Sequence, residues 1–260
     1  MNKDRLTIVK TGGKLLDDDR RLDKFLASFA ALKGNKILVH GGGSLATRLS
    51  FKLGIEPQMA DGRRITMAED LQLVTMVYAG WLNKTVVARL QQKGCQALGL
   101  SGADGNSIRS HKRPVTTIDY GFVGDIEKVN APLIQMLLQQ GLTPVFNAIT
   151  HDGKGTLLNT NADTVAASLA MGMSTLYTVR LMYCFEKKGV LKNVEQENSV
   201  IPVLDTALYR EGVAKGMFHD GMLPKLHTGF NALKNNVAEV WIGDETILEE
   251  NATGFTRLKQ

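Results

Sequence analysis

The sequence has little cysteine: Cys95 and Cys184 are the only two in 260 residues. Two thiols are too few for a disulfide framework and lack metal-ligand spacing, so both are expected to be reduced and buried. No apolar run is long enough to cross a bilayer. The first residues pass from charge straight into a short apolar segment, without the hydrophobic stretch and cleavage site of a secretory leader. A cytoplasmic location is the expectation, with no membrane partner. Basic runs interleaved with aromatics are also missing. The net charge of +5 comes from scattered Lys and Arg, which argues against a nucleic-acid partner and suits a site that holds anions. The five histidines show no metal-ligand spacing, and there is no repeat, low-complexity tract or long linker.

What is present is an ordinary globular composition, 43% hydrophobic and 22% charged. Apolar segments 5–10, 36–40, 95–100, 144–149, 175–181 and 238–242 read as strands. Helical periodicity marks residues from the Asp17–Asp19 cap to Leu32, then 44–53, 67–93, 132–140, 161–170 and 223–233. Residues 56–66 read as a loop or hairpin and 116–128 as hairpins beside the sheet. Strands alternating with helices imply an α/β fold, a three-layer αβα sandwich with a mainly parallel central sheet. Ligands bind such sheets at the carboxyl ends of the strands.

Two of those strands end in glycine, as Lys10-Thr11-Gly12-Gly13 and His40-Gly41-Gly42-Gly43. Glycine at a strand-to-helix turn lets backbone N–H groups approach an anion closely. Other readings of these turns are weak. Gly41 to Ala46 fits G-x-G-x-x-A, with Asp61 about twenty residues on, but Asp61 closes no apolar strand. His-Gly-Gly-Gly resembles a hydrolase oxyanion motif, yet the one candidate elbow, Gly99 to Ala103, lacks its final glycine. No G-x-x-x-x-G-K-[ST] occurs. His40 itself reads as a turn or core histidine rather than a ligand.

Taken in order, the motifs resemble the amino-acid-kinase superfamily over essentially the whole chain, and closely its N-acetylglutamate kinase branch. The two glycine turns are followed by Asp61-Gly62-Arg63-Arg64-Ile65-Thr66, similar to that family's substrate loop. Then come Gly99 to Gly105, Gly121 to Gly124, Asn159-Thr160-Asn161-Ala162-Asp163 and Asp220-Gly221-Met222-Leu223-Pro224-Lys225, each resembling a family segment. The resemblance implies transfer of the γ-phosphoryl group of ATP, with Mg²⁺ held mainly by the phosphates, to the side-chain carboxylate of an N-acylated glutamate in arginine biosynthesis. Lys10 and Lys225 would neutralise phosphoryl and leaving-group charge, with Asp163 holding both lysines. Gly12, Gly13, Gly42 and Gly43 would donate backbone hydrogen bonds, Arg64 would grip a substrate carboxylate, and Asn159 would hydrogen-bond the amino acid. Glu186, Lys187, Gly189, Leu191, His219 and Gly221 would line the nucleotide. Residues 1–172 would form the acylglutamate-binding and dimerising lobe and 173–260 the ATP lobe, on one continuous sheet.

Two departures stand out. Glu186 falls where the family usually has Asp in a Thr/Ser-Asp-x-x-Gly motif, and Arg63 falls where it commonly has an apolar residue. A second arginine suggests an acyl group ending in a carboxylate, such as succinyl, as the alternative to acetyl. The chain starts only a few residues before the first strand, without the N-terminal helical extension that resembles arginine-inhibited hexamers, so a homodimer insensitive to arginine is expected. A carbamate, aspartate or uridylate kinase would share the glycines and Lys10, but Arg64 and the Asn159 motif argue against it. A non-catalytic amino-acid sensor would be expected to have lost a lysine.

Overall fold

The computed structural model describes residues 3–60, 63–218 and 221–260. In chain order the first part comprises β1 (Arg5–Thr11), α1 (Gly13–Leu16), α2 (Asp19–Ala31), β2 (Asn35–His40), α3 (Gly43–Lys52), β3 (Met59–Ala60) and β4 (Arg63–Arg64). A long helix follows: α4 (Ala68–Thr75) runs through a π-helical segment (Met76–Leu82) into α5 (Asn83–Gln92). Next come β5 (Ala97–Leu100), β6 (Ile108–Lys112), β7 (Gly124–Val129), α6 (Ala131–Gln139), β8 (Thr143–Phe146), β9 (Ile149–His151) and β10 (Leu157–Asn159). The last part holds α7 (Ala162–Met173), β11 (Thr178–Cys184), β12 (Val203–Leu204), α8 (Thr206–Ala214), α9 (Leu223–Lys234), β13 (Glu239–Gly243) and β14 (Thr256–Leu258).

The main sheet has eight strands in the order β12-β14-β13-β11-β1-β2-β8-β5. Every pair is parallel except β13 with β14. β1 is central and apolar: Leu6, Ile8 and Val9 are fully buried. The chain steps from β1 to β2 in one direction and later from β8 to β11 in the other. Right-handed crossovers therefore put α2 and α7 on opposite faces, giving the three layers. α2 buries Leu22, Phe25, Leu26 and Phe29, the last two phenylalanines stacked at 6.5 Å. Asp18 caps it by accepting from the N–H groups of Arg20 and Arg21. A second, four-stranded sheet (β10-β9-β6-β7) and the β3–β4 hairpin sit beside the main one.

Several sequence-based boundaries move. The expected strand 175–181 is Thr178–Cys184, because its position is set by pairing along β1 from Arg5↔Thr178 to Thr11↔Cys184. The expected strand 144–149 is two strands, broken at Asn147, whose Nδ2 donates to Leu100 O while its Oδ1 accepts from Ile149 N. The expected hairpins at 116–128 reduce to β7, paired with β6 further upstream. The long helix 67–93 is found, with the π-helical segment inside it. α8, β10, β12 and β14 lacked a readable period.

The order of strands reverses around β1: β2 lies on one side and β11 on the other. A crevice at the carboxyl ends of these three strands is the expected ligand site.

Candidate active site

That crevice is a cavity of about 810 Å³. Lys10, the last residue but one of β1, faces it, buried to 7% exposure. Opposite stands Asp163 in the first turn of α7, where Asn161 caps the helix by accepting from the N–H groups of Asp163 and Thr164. Asp163 Oδ1 lies 2.7 Å from Lys10 Nζ, and Oδ2 lies 3.2 Å from Lys225 Nζ. Lys225 comes from the first turn of α9 and also donates to Gly221 O at 3.1 Å. One carboxylate thus spaces two ammonium groups. Burial pushes the Asp163 carboxyl up, but the two lysines outweigh it and hold it below the usual carboxylate range. For Lys10 burial dominates: aided by Lys225 and opposed by Asp163, it lowers the ammonium below the usual lysine value.

The glycine turns flank this triad. The N–H of Gly12 donates to Cys184 O at 2.8 Å, so it is engaged in the β1–β11 junction rather than open to a ligand. This corrects the expectation that Gly12 donates to a phosphoryl group. Gly13 and Gly43 open the first turns of α1 and α3, where N–H groups have no intrahelical partner. Gly42 is held by close approach: a Cβ there would lie 2.5 Å from Leu82 Cδ1 and 2.6 Å from Tyr78 Cδ1. All four line the cavity.

At one end of the cavity Arg64 is buried beside Thr47, donating from Nη2 to Thr47 Oγ1 at 2.6 Å. Its Nη1 has no hydrogen-bond partner and stands 3.7 Å from Asp70 Oδ1, itself unpartnered. Both atoms are buried, so this side of the guanidinium faces the Asp70 carboxylate within the protein. Tyr78 packs against it, and burial raises the phenol above its usual value. Asn159 Nδ2 donates to Thr66 Oγ1 at 3.0 Å. Arg63 and Arg113 line the same end. Arg113 Nε reaches Asp125 Oδ2 at 3.1 Å, and Arg113, with smaller contributions from His111 and then Arg63, holds that carboxyl below its usual range against the opposing effect of burial.

The other end is apolar, lined by Phe185, Val190, Leu191, Val194, Met217, Phe218 and Met222. The expected nucleotide residues Glu186, Lys187, Gly189, Leu191 and Gly221 line it too. Lys187 pairs with Glu197 at 3.3 Å. Gly189 has a packing reason as well: a Cβ there would lie 2.7 Å from Thr256 Oγ1 and Val200 Cγ1. His219 lies outside the described residues, as do Asp61, Gly62 and Asp220 of the two motifs. Sequence reasoning missed Tyr78, Thr47, Val194, Met217 and Phe218. Tyr78 and Phe218 had a signal, being aromatics beside a glycine-facing helix and an expected motif; Val194 sits in an irregular stretch with none. Among the described residues no three His, Cys, Asp or Glu side chains gather as a metal site, and no helix is long and apolar enough to cross a membrane.

Comparison with known proteins bears on this geometry. The model of the amino acid kinase family matches residues 5–244. An acetylglutamate kinase of Phocaeicola vulgatus is 52% identical over 250 residues, covering 96% of this chain and 97% of that one. One of Bacteroides thetaiotaomicron is 50% identical over 258 residues, covering 99% and 100%. Among solved structures, a Streptococcus mutans protein superposes with a TM-score of 0.79 at 22% identity, covering 98% of both chains, which is a likeness of fold.

Proposed function

The chain belongs to the amino acid kinase family, and we propose that it catalyses the acetylglutamate kinase reaction, ATP plus N-acetyl-L-glutamate giving ADP and the γ-acyl phosphate, a step of arginine biosynthesis. The observation that carries this reading is the buried Lys10–Asp163–Lys225 triad, set in one cavity with the buried Arg64. An oxygen of the γ-carboxylate forms a bond to the γ-phosphorus while the bond to the β–γ bridging oxygen breaks, and the electron pair leaves with ADP. Negative charge spreads over the moving phosphoryl group and its flanking oxygens. Fixed cations and backbone donors are then the main catalytic resource. Lys10 and Lys225 supply the cations, on the phosphoryl and the leaving-group side. Asp163 acts as their spacer. No general base is required, because a glutamate carboxylate is ionised at pH 7.

The N–H groups of Gly13, Gly42 and Gly43 are assigned to phosphoryl oxygens, Arg64 to a substrate carboxylate and Asn159 to the amino-acid backbone. Residues 1–172 are assigned to the acylglutamate and 173–260 to ATP, whose base would lie among Phe185, Val194, Phe218 and their neighbours. The described residues around the cleft do not fit a resident metal, since their central carboxylate is already taken by two lysines. Mg²⁺ is read as arriving on the ATP phosphates, as part of the substrate. We also read the enzyme as a cytoplasmic homodimer; sedimentation velocity tests the assembly.

A hydroxylamine trap for the acyl phosphate, run across a panel of carboxylates, tests the reaction. N-acetyl-L-glutamate should give ATP-dependent hydroxamate, and carbamate, aspartate or no acceptor should not; hydroxamate from aspartate alone would overturn the assignment. A second reading, N-succinyl-L-glutamate as the preferred acceptor, is favoured by Arg63 and Arg113 lining the same end as Arg64. Comparing kcat/KM for the two acylglutamates decides it, and a large preference for acetyl would sink it.

A further inference from the structure

β2 ends on His40, which is fully buried immediately before the second glycine turn. Its Nδ1 lies 2.8 Å from Gly41 O, and its Nε2 lies 3.1 Å from Asn83 Nδ2. Asn83, also fully buried, stands where the π-helical segment passes into α5. The orientation of its amide follows from its other partners. Nδ2 faces Val145 O at 3.0 Å, and a carbonyl can only accept. Oδ1 faces Lys84 Nζ at 3.3 Å, which can only donate. The atom presented to His40 is therefore an N–H, so Nε2 must be the acceptor and the ring proton must sit on Nδ1. From there it can only be donated to Gly41 O.

We infer that His40 and Asn83 are positioning residues for phosphoryl transfer, a relay that fixes the plane of the Gly41–Gly42 peptide so that the N–H of Gly42 faces the transferring group. In a trans peptide the C=O and the following N–H point in opposite directions, and no cis bond occurs among the described residues. Drawing the Gly41 carbonyl into the end of the sheet therefore turns the Gly42 N–H outward, toward the cavity that Gly42 lines. Among the described residues this N–H has no partner of its own. The imidazole suits the task because burial holds it neutral, its pKa lowered to about 4. An imidazolium would set one N–H against another at Asn83. Space for the relay is made on β5: a Cβ at Gly99 would lie 2.0 Å from Asn83 Oδ1, so glycine there lets the amide in. A buried polar pair is costly unless fully bonded, and here every bond leads to the direction of one carbonyl.

The inference rests on the kinase reading of the cleft, and its test separates the two. The first measurement needs no activity: long-range ¹H–¹⁵N NMR of the ¹⁵N-histidine-labelled protein at pH 7. The expected His40 signal is the neutral Nδ1–H tautomer; an Nε2–H ring or an imidazolium overturns the relay. If the tautomer is found and the wild-type protein makes no acyl phosphate, the kinase reading fails and the relay stands. The second measurement is kinetic. His40→Asn keeps a donor near the Nδ1 position, whereas His40→Leu removes it at similar size. His40→Leu should lower kcat by about ten- to hundredfold, with KM for both substrates within about threefold, and His40→Asn should recover most of that loss. Equal losses in the two folded variants, or an undiminished kcat in His40→Leu, overturn the inference. Where a variant does not fold, the wild-type tautomer decides.

Discussion

The two ends of the cleft are built from opposite materials. One end carries Arg63, Arg64 and Arg113, with Arg64 buried between Thr47 and Asp70. The other is a wall of Phe185, Val190, Leu191, Val194, Phe218 and methionines, with Glu186, Lys187 and Lys225 its charged members. The difference teaches how the site divides its tasks. A small dianionic acceptor offers charge and little surface, so charge-assisted, geometrically fixed bonds must hold it. A nucleoside offers a flat apolar face, so burial of area can hold it with little directional bonding. Between them the triad belongs to neither end and answers to the moving charge.

Removing the middle should give the largest effect and leave both ends intact. Lys10→Met is expected to lower kcat about a hundredfold or more, about 2.7 kcal/mol of barrier, with KM values for both substrates little changed. A near-normal kcat would reject its role. Next in size, Arg64→Lys keeps the charge but loses the fork. KM for the acylglutamate should rise about ten- to fiftyfold and KM for ATP should not move; a parallel rise in both would erase the distinction between the ends. Gly42→Ala forces a methyl against Leu82 and Tyr78 and should cost about 1–3 kcal/mol of stability by overpacking, read as a lowered Tm. At the apolar end, Val194→Ser should raise KM for ATP only about two- to threefold, without touching the acylglutamate. A steep loss there would mean that Val194 is doing more than covering a surface.

Alkaline pH probes the middle alone. Transfer needs the protonated Lys10, and burial lowers its pKa from the ordinary lysine value. Its charge is therefore lost as pH rises through that lowered value, earlier than for a free lysine. A plot of log kcat against pH should bend downward below the ordinary lysine range, and a profile flat to that range would contradict the buried-ammonium account.

The end that binds by directional charge was the more legible one. Lys10 could be read because a strand and a glycine turn are neighbours in sequence, and Arg64, Asn159 and Asp163 because each lies in a short motif. The apolar end gave fewer signs. Val194 comes from an irregular segment where nothing local distinguishes it from other apolar residues, and Phe218, in the turn after α8, is marked only by its place beside the motif that ends in Lys225. The three-residue displacement of β11 has the same origin: its register is fixed by β1, a strand more than 160 residues away in sequence. The engaged N–H of Gly12 was equally beyond sequence reasoning, which sees a glycine turn but not which carbonyl lies beside it.

That bond from Gly12 to Cys184 O also has a mechanical meaning. It extends the seven-residue β1–β11 pairing by one more rung, to the lip of the cleft. The strand bearing Lys10 and the strand leading to the nucleotide wall are thereby zipped to their ends, like a hinge pinned shut at its axis. The floor of the cleft is tied together by backbone bonds up to its lip. Movements that admit substrates and release products are then expected outside the β1–β11 pair, while the strand that carries Lys10 keeps its register against the strand that leads to the apolar wall.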